Sequence, residues 1–305
     1  MTQATLTTQL SKAAELVEAE LARTLPAQSS APEIIHQAMR YSTLGAGKRR
    51  RALLVLSAAA LRGGRATPAL PVAAAIEMIH AYSLIHDDLP CMDDDDYRRG
   101  KLSNHKVFGE GMAVLAGDAL LTQAFIVLAD LPARSGLSPA ISLAICSEVA
   151  QAIGTAGLIG GQVADMEWEG RTPDPQQAAD LLVFIHTRKT GALFQAALRA
   201  GAMAGGLSGA DLAAVTEYAS QFGLAFQITD DILDVVGDSS LLGKQVGSDE
   251  RKQKLTYPRL YGLEASRRMA GAAAAAATSA LQVFGRSAAV EVLDDLAQHV
   301  VQRDH

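Results

Sequence analysis

Two acidic blocks, Asp87-Asp88-Leu89-Pro90-Cys91-Met92-Asp93 and Asp230-Asp231-Ile232-Leu233-Asp234, lie in opposite halves of the chain, and each rises directly out of an apolar run. Two unit charges about 4 Å apart at an effective dielectric near 20 repel by roughly 4 kcal/mol, so each block needs a counter-charge or a raised pKa. The flanks match too: Tyr82-Ser83-Leu84-Ile85-His86-Asp87-Asp88-Leu89 and Ala225-Phe226-Gln227-Ile228-Thr229-Asp230-Asp231-Ile232 set Asp-Asp at the same place after a mostly apolar helical segment. Two such helices facing one another, with side chains projecting inward, are how bundles build metal sites. A site made from both halves favours one domain over two.

The remaining sequence reads as all-α. Alanine and leucine dominate, Val/Ile/aromatic alternation is scarce, and breakers fall between stretches of about 15 to 25 residues. Expected breaks are Leu25-Pro26, Gly63-Gly64, Pro90, Pro132, Gly160-Gly161, Pro173 to Pro175, Gly205-Gly206 and residues 237–247. At 305 residues and 49% apolar composition the chain is near the upper size for one core, and residues 1–305 are read as a single domain.

A net charge of -6 with no basic tail disfavours nucleic acid as a partner. Cys91 and Cys146 form neither a disulfide framework nor a metal-type spacing, which fits a reducing, cytoplasmic setting. The N-terminus lacks the basic-then-apolar pattern of a secretory signal. The longest uncharged stretch, 269–285, is short for a membrane span, and the window 70–85 is broken by Glu77 and His80, so no stable membrane insertion is expected.

Asp230 and Asp234 stand at i and i+4, on one helical face a turn apart. Asp87 and Asp93 are about 240° apart on a wheel. Pro90 disfavours helix at Leu89, so Asp93 has to come round from a bulge or loop. Carboxylate oxygens without nearby cysteine or metal-spaced histidine pairs suit Mg²⁺, completed by substrate phosphates. Taken singly, an Asp pair is more often a solvated helix end, as Asp294-Asp295 is read here.

Cations stand where a phosphate would need them: Lys48 to Arg51, Arg98-Arg99-Gly100-Lys101, Lys189, Gly243-Lys244, and Lys252 to Lys254. The nucleotide-type loop Gly-x-x-x-x-Gly-Lys-Ser/Thr is absent. Acidic and basic blocks together imply a polyphosphate with a divalent metal.

Several motifs now fall into a joint order. They are Gly47-Lys48-Arg49-x-Arg51, the run from His80 through Asp93 to Arg98-Arg99-Gly100, Gly117-Asp118-Ala119-Leu120, Gly160-Gly161-Gln162, Lys189-Thr190-Gly191 and Gly223-Leu224-Ala225-Phe226-Gln227-x-x-Asp230-Asp231-Ile232-Leu233-Asp234. Together they resemble the trans-isoprenyl diphosphate synthases, and among them the bacterial farnesyl diphosphate synthases, from about residue 30 to the C-terminus.

The resemblance implies a helical bundle of the isoprenoid synthase type with a central active-site cavity. It implies condensation of dimethylallyl or geranyl diphosphate with isopentenyl diphosphate, a homodimer, and about three Mg²⁺ ions per site, with Mn²⁺ as the other candidate metal. By the same resemblance Asp87, Asp93 and Asp230 bind metal, while Asp88, Asp231 and Asp234 orient waters or ligands. Lys48, Arg51, His80 and Arg99 match the isopentenyl diphosphate site, and Arg98, Lys189 and Lys254 the allylic diphosphate site. The Lys189 carbonyl, Thr190 and Gln227 stabilise the allylic cation, with loops 93–101 and 237–254 closing over the diphosphates.

One departure is Ala52, where the family commonly has proline, which implies a changed helix start. The family sets product length at the residues four and five before the first aspartate, here Ser83 and Tyr82. A tyrosine there implies a C15 product, although on a wheel Ser83 lies about 40° from Asp87 and Tyr82 about 140° away.

The alternatives are a geranylgeranyl diphosphate synthase, a terpene cyclase and a non-catalytic prenyltransferase subunit. A cyclase usually carries an Asn/Asp…Ser/Thr…Glu second motif, whereas this chain repeats Asp-Asp-x-x-Asp. A non-catalytic subunit typically loses acidic ligands or cations that are all present here.

Overall fold

The structure is a computed structural model that describes residues 3–45, 47–171, 173–236 and 253–302. It is all-α, as the composition predicts. The helices are α1 (Gln3–Thr24), α2 (Glu33–Thr43), α3 (Arg50–Ala59), α4 (Leu70–Asp87), α5 (Asn104–Phe108), α6 (Glu110–Ala129), α7 (Leu131–Ser135) and α8 (Pro139–Ile153). They continue with α9 (Leu158–Trp168), α10 (Pro175–Ile185), α11 (Ala192–Ala204), α12 (Gly209–Val236), α13 (Tyr257–Tyr261), α14 (Leu263–Ala280) and α15 (Ala288–Val301). Two features lie outside that reading. A short hairpin pairs Tyr97 with Leu102 and Arg98 with Lys101, and a six-residue π-helical turn, His186–Gly191, joins α10 to α11.

The central helix is α4. It is apolar around most of its circumference, and such a helix must be surrounded; Val72 to Ile76, Met78 and Ile79 are fully buried. It packs on α1, α3, α6 and α11, while α12 packs on α11 and α14. The two aspartate-bearing helices are thereby built into one bundle. In the alanine-rich stretch 269–285, Ala270, Ala273, Ala274 and Ala277 are buried on α14, the helix packed along α12, so their small side chains serve close packing within the chain.

The predicted breaks hold at Pro26, Gly63-Gly64, Pro90, Pro173 to Pro175 and Gly205-Gly206, while Pro132 lies in the first turn of α7 and the break before it falls at Asp130. Gly160-Gly161 is a correction, because both lie inside α9 and the break falls at 154–157. Gly161 is there for contact: a Cβ on it would stand 2.1 Å from the Lys189 amide nitrogen. The predicted break at 237–247, Gly243-Lys244 and Lys252 lie outside the described residues.

Among the described residues three segments are long and apolar enough to cross a membrane, Thr67–Asp87, Glu110–Ala129 and Pro139–Trp168; the first contains the window that Glu77 and His80 were expected to break, and it is 72% buried in the bundle.

Candidate active site

The first acidic block is a helix end followed by a tight turn. α4 stops at Asp87, the Asp93 amide donates to the Asp87 carbonyl at 2.8 Å, and the Asp94 amide donates to the Leu89 carbonyl at 3.1 Å. Asp93 thus returns to Asp87 through the loop that Pro90 demands. Asp87 and Asp230 line the same cavity, of about 750 Å³. Burial pushes the Asp87 carboxyl up to about 6; Asp93 and Asp88 add to the shift, while Lys189 and Arg98 oppose it. An under-compensated buried carboxylate, with two more carboxylates from its own turn and another across the cavity, fits a divalent cation.

Asp88, Asp231 and Asp234 are buried. Asp88 accepts from Arg98 Nε at 2.8 Å, and Arg98 also reaches Asp95 at 2.9 Å, so Arg98 is held by carboxylates rather than in the cavity lining. Burial outweighs Arg98 and raises the Asp88 carboxyl above its ordinary value. Asp94, Asp96 and His105, none of them a predicted ligand, gather their ligand atoms within 4.8 Å of one another, and Lys106 Nζ stands 2.7 Å from Asp96.

The basic run is split by its surroundings. Arg49, at φ 45°, turns inward to bond Glu18, Glu77 and the Thr43 carbonyl. Lys48 and Arg51 line the cavity with Arg99, which the hairpin supplies. Gly47 makes room for it: a Cβ there would meet Arg99 Nη1 at 2.6 Å. Between the arginines stands His80, whose Nε2 lies 3.1 Å from Arg51 Nη1 and 3.2 Å from Arg99 Nη2. Guanidinium nitrogens only donate, so this Nε2 is a bare acceptor and the ring proton sits on Nδ1. Burial first, then Arg51 and Arg99, hold the His80 pKa well below its ordinary value. Burial lowers Arg51 to about 10, still a cation at neutral pH.

The third wall is the π-helical turn, pressed between α9 at Gly161 and α12 at Gly223, where a Cβ would lie 3.3 Å from Gly191 Cα. It presents Lys189 and Thr190 to the cavity. Thr190 Oγ1 donates to Gln227 Oε1 at 2.8 Å, and Gln227 Nε2 donates to Asp231 Oδ1 at 2.9 Å. The other Asp231 oxygen accepts from the Tyr257 amide at 2.9 Å. Asp231 therefore fixes the Gln227 amide and anchors α13.

Ser83 lines the cavity and donates to the His80 carbonyl at 3.0 Å, while Tyr82 lies outside the lining, its hydroxyl buried and without a hydrogen-bond partner among the described residues. Lys254 stands 3.5 Å from Asp93 and 3.4 Å from Asp165. Sequence reasoning missed Asp165 and Glu77. Asp165 follows Gln162 by three residues on α9, and that helical spacing from a recognised motif was its one signal.

The polyprenyl synthetase family pattern matches residues 32–289. A heterodimeric geranylgeranyl pyrophosphate synthase large subunit from Arabidopsis thaliana is 49% identical over 257 residues, covering 84% of this chain and 68% of that one. The farnesyl diphosphate synthase of Geobacillus stearothermophilus is 46% identical over 254 residues, covering 83% and 84%. The solved structure of an FPP/GFPP synthase from Zymomonas mobilis is 36% identical, with a TM-score of 0.85 over 98% of this chain and 100% of that chain. The chain therefore belongs to the polyprenyl synthetase family of trans-prenyltransferases.

Proposed function

We propose that this chain condenses dimethylallyl or geranyl diphosphate with isopentenyl diphosphate and stops at farnesyl diphosphate. The observation that carries the reading is one cavity lined by Asp87 and Asp230, by Lys48, Arg51 and Arg99, and by the neutral oxygens of Thr190 and Gln227. Two diphosphates and a cation between them need those three kinds of surface.

In the reaction the allylic C–O bond breaks and its electron pair leaves with the diphosphate. The isopentenyl double bond then closes a new C–C bond to the allylic carbon, and a proton leaves to the departed diphosphate. Mg²⁺ held by Asp87, Asp93 and Asp230 would supply Lewis-acid neutralisation of that leaving group. Lys189 and Lys254 balance the remaining charge from the allylic side, where the resemblance also sets Arg98, here bound to Asp88 and Asp95. Lys48, Arg51 and Arg99 seat the second diphosphate, with His80 holding two of these cations. Thr190 and Gln227 offer oxygen dipoles that favour the cation without trapping it.

Relatives are named both for farnesyl and for geranylgeranyl products. Tyr82 favours the shorter one by the resemblance, which sets the stop four and five residues before the first aspartate; of those two residues Ser83 lines the cavity, and the Tyr82 ring is buried at 5% exposure outside the lining. The test is turnover of the isolated chain with Mg²⁺, geranyl diphosphate and isopentenyl diphosphate, read by product length. A C20 product replaces the farnesyl assignment, and a chain inert on its own replaces catalysis with a subunit role.

We further propose a cytoplasmic homodimer. Leu115, Ile126 and Leu143 are 54%, 51% and 72% exposed on α6 and α8. Asp118, exposed midway along α6, would be stranded in hydrocarbon, whereas a second copy can solvate or pair it. Sedimentation gives the mass directly.

A further inference from the structure

We infer that Asp165 is a positioning residue for the two lysines assigned above to the allylic diphosphate; the inference rests on that assignment. Oδ2 of Asp165 accepts from Lys189 Nζ at 2.6 Å and lies 3.4 Å from Lys254 Nζ. One carboxylate oxygen thus gathers two ammonium groups that reach it from different parts of the fold, the π-helical turn and the segment leading into α13. Side-chain exposures of 14% for Asp165, 24% for Lys189 and 14% for Lys254 leave little water to screen the three charges.

Without that oxygen the two ammonium groups would repel at short range, and each flexible stem would recover rotamer freedom by wandering. A diphosphate arriving at the site would then have to order both. With Asp165 in place the two ammonium groups are already gathered, with Asp93 3.5 Å from that of Lys254. An ammonium has three N–H donors, and Asp165 takes one from each lysine. Burial opposes ionisation of Asp165, but the two lysines outweigh it and hold the carboxyl below its ordinary range.

The backbone explains why the carboxylate is where it is. Gly161 lets α9 touch the π-helical turn at the Lys189 amide, and Asp165 follows Gly161 by four residues on the same helical face. The glycine sets the approach of the two elements, and the aspartate one turn later meets the side chain that the approach brings in. The plainer role for Asp165 is to dock α9 on that turn, so the test has to separate docking from lysine placement.

The test uses full-length Asp165→Asn, which keeps the shape and removes the charge. The expected result is a KM for geranyl diphosphate raised about ten-fold or more, with the KM for isopentenyl diphosphate unchanged within two-fold and Tm within a few degrees of wild type. Calorimetric binding of geranyl thiodiphosphate, which ionises slowly, should weaken by the same factor. In a Lys254→Ala background the substitution should cost less than in wild type, because half of what Asp165 holds is gone. Unchanged geranyl diphosphate affinity, additive losses in the double variant, or both KM values and Tm moving together overturn the inference. Wild-type protein that consumes no isopentenyl diphosphate overturns the functional reading and this inference with it; wild-type turnover alongside an unaffected D165N overturns this one alone.

Discussion

The Nε2 atom of His80 accepts a hydrogen bond from the Arg51 guanidinium at 3.1 Å, and the acceptance fixes both groups. A buried arginine offers a phosphate a defined set of donors only if its plane is held, and here a neutral imidazole holds it without spending its charge. Phe194 supports the other side, its ring centroid 4.5 Å from the Arg51 guanidinium carbon.

His80→Ala is expected to raise the KM for isopentenyl diphosphate about ten-fold, and His80→Gln, whose carbonyl can still accept, should recover part of the loss. Because burial and the arginines lower the His80 pKa, the unfolded chain binds a proton near pH 6.5 that the folded chain refuses. Stability therefore falls as pH drops below about 6.5, by up to roughly 1.4 kcal/mol per unit from this group. Chemical denaturation across pH 5 to 7 checks the sign, and H80Q should show a shallower slope.

Asp87 has the opposite habit. With its carboxyl pushed up to about 6 by burial, an ion arriving at lower pH has to displace a proton. Mg²⁺ affinity in the presence of inorganic diphosphate should therefore fall as pH drops through 6, tending to about ten-fold per unit below it. An ordinary aspartate would begin that decline about two units lower. Calorimetric titrations in two buffers of different ionisation heat should register proton release at pH 6 in wild type and a smaller release in Asp87→Asn. Equal affinity at pH 7.5 and 5.5 contradicts the assignment.

Gly161→Ala tests how the π-helical turn is held. The added Cβ would lie 2.1 Å from the Lys189 nitrogen and 2.7 Å from its Cα, and a backbone cannot step aside as a flexible side chain can. The expected cost is about 2 kcal/mol of stability. A fall in kcat larger than that of an alanine at the uncrowded Gly271 should accompany it. Thermal melting and turnover measured on both variants decide it.

How much of this was legible beforehand differs residue by residue, according to whether the cause is local. The return of Asp93 to Asp87 follows from Pro90, a neighbour in sequence. The splitting of Lys48 to Arg51 does not: Arg49 turns inward because Glu18 and Glu77 wait for it, and those partners come from α1 and α4. Ala52 was legible as a departure but not in its effect. Its amide donates to Glu77 Oε1 at 3.1 Å, a bond that proline at this place could not make. The π-helical turn has no signature in His186-Thr187-Arg188-Lys189-Thr190-Gly191; the contacts through Gly161 and Gly223 select it. Asp165 was hidden for the same reason, since its partners lie on other elements.

Tyr82 brings the local and the distant together, and its role in product length can be separated from its role in packing. Its ring lies edge-on to His86 at 5.8 Å, and His86 Nε2 donates to the Val114 carbonyl on α6 at 3.0 Å. Its hydroxyl is buried with no hydrogen-bond partner among the described residues. Tyr82→Phe removes the orphaned oxygen and keeps the ring, so stability should hold or rise and the product should stay C15. Tyr82→Ala removes the buried ring at a cost of about 3–5 kcal/mol. If the ring is what stops the growing tail, chromatography of that variant's products will show C20 at the expense of C15. An unchanged C15 product from a folded Tyr82→Ala protein moves the stop to the residues that line the cavity, Ser83 and Leu84 first among them.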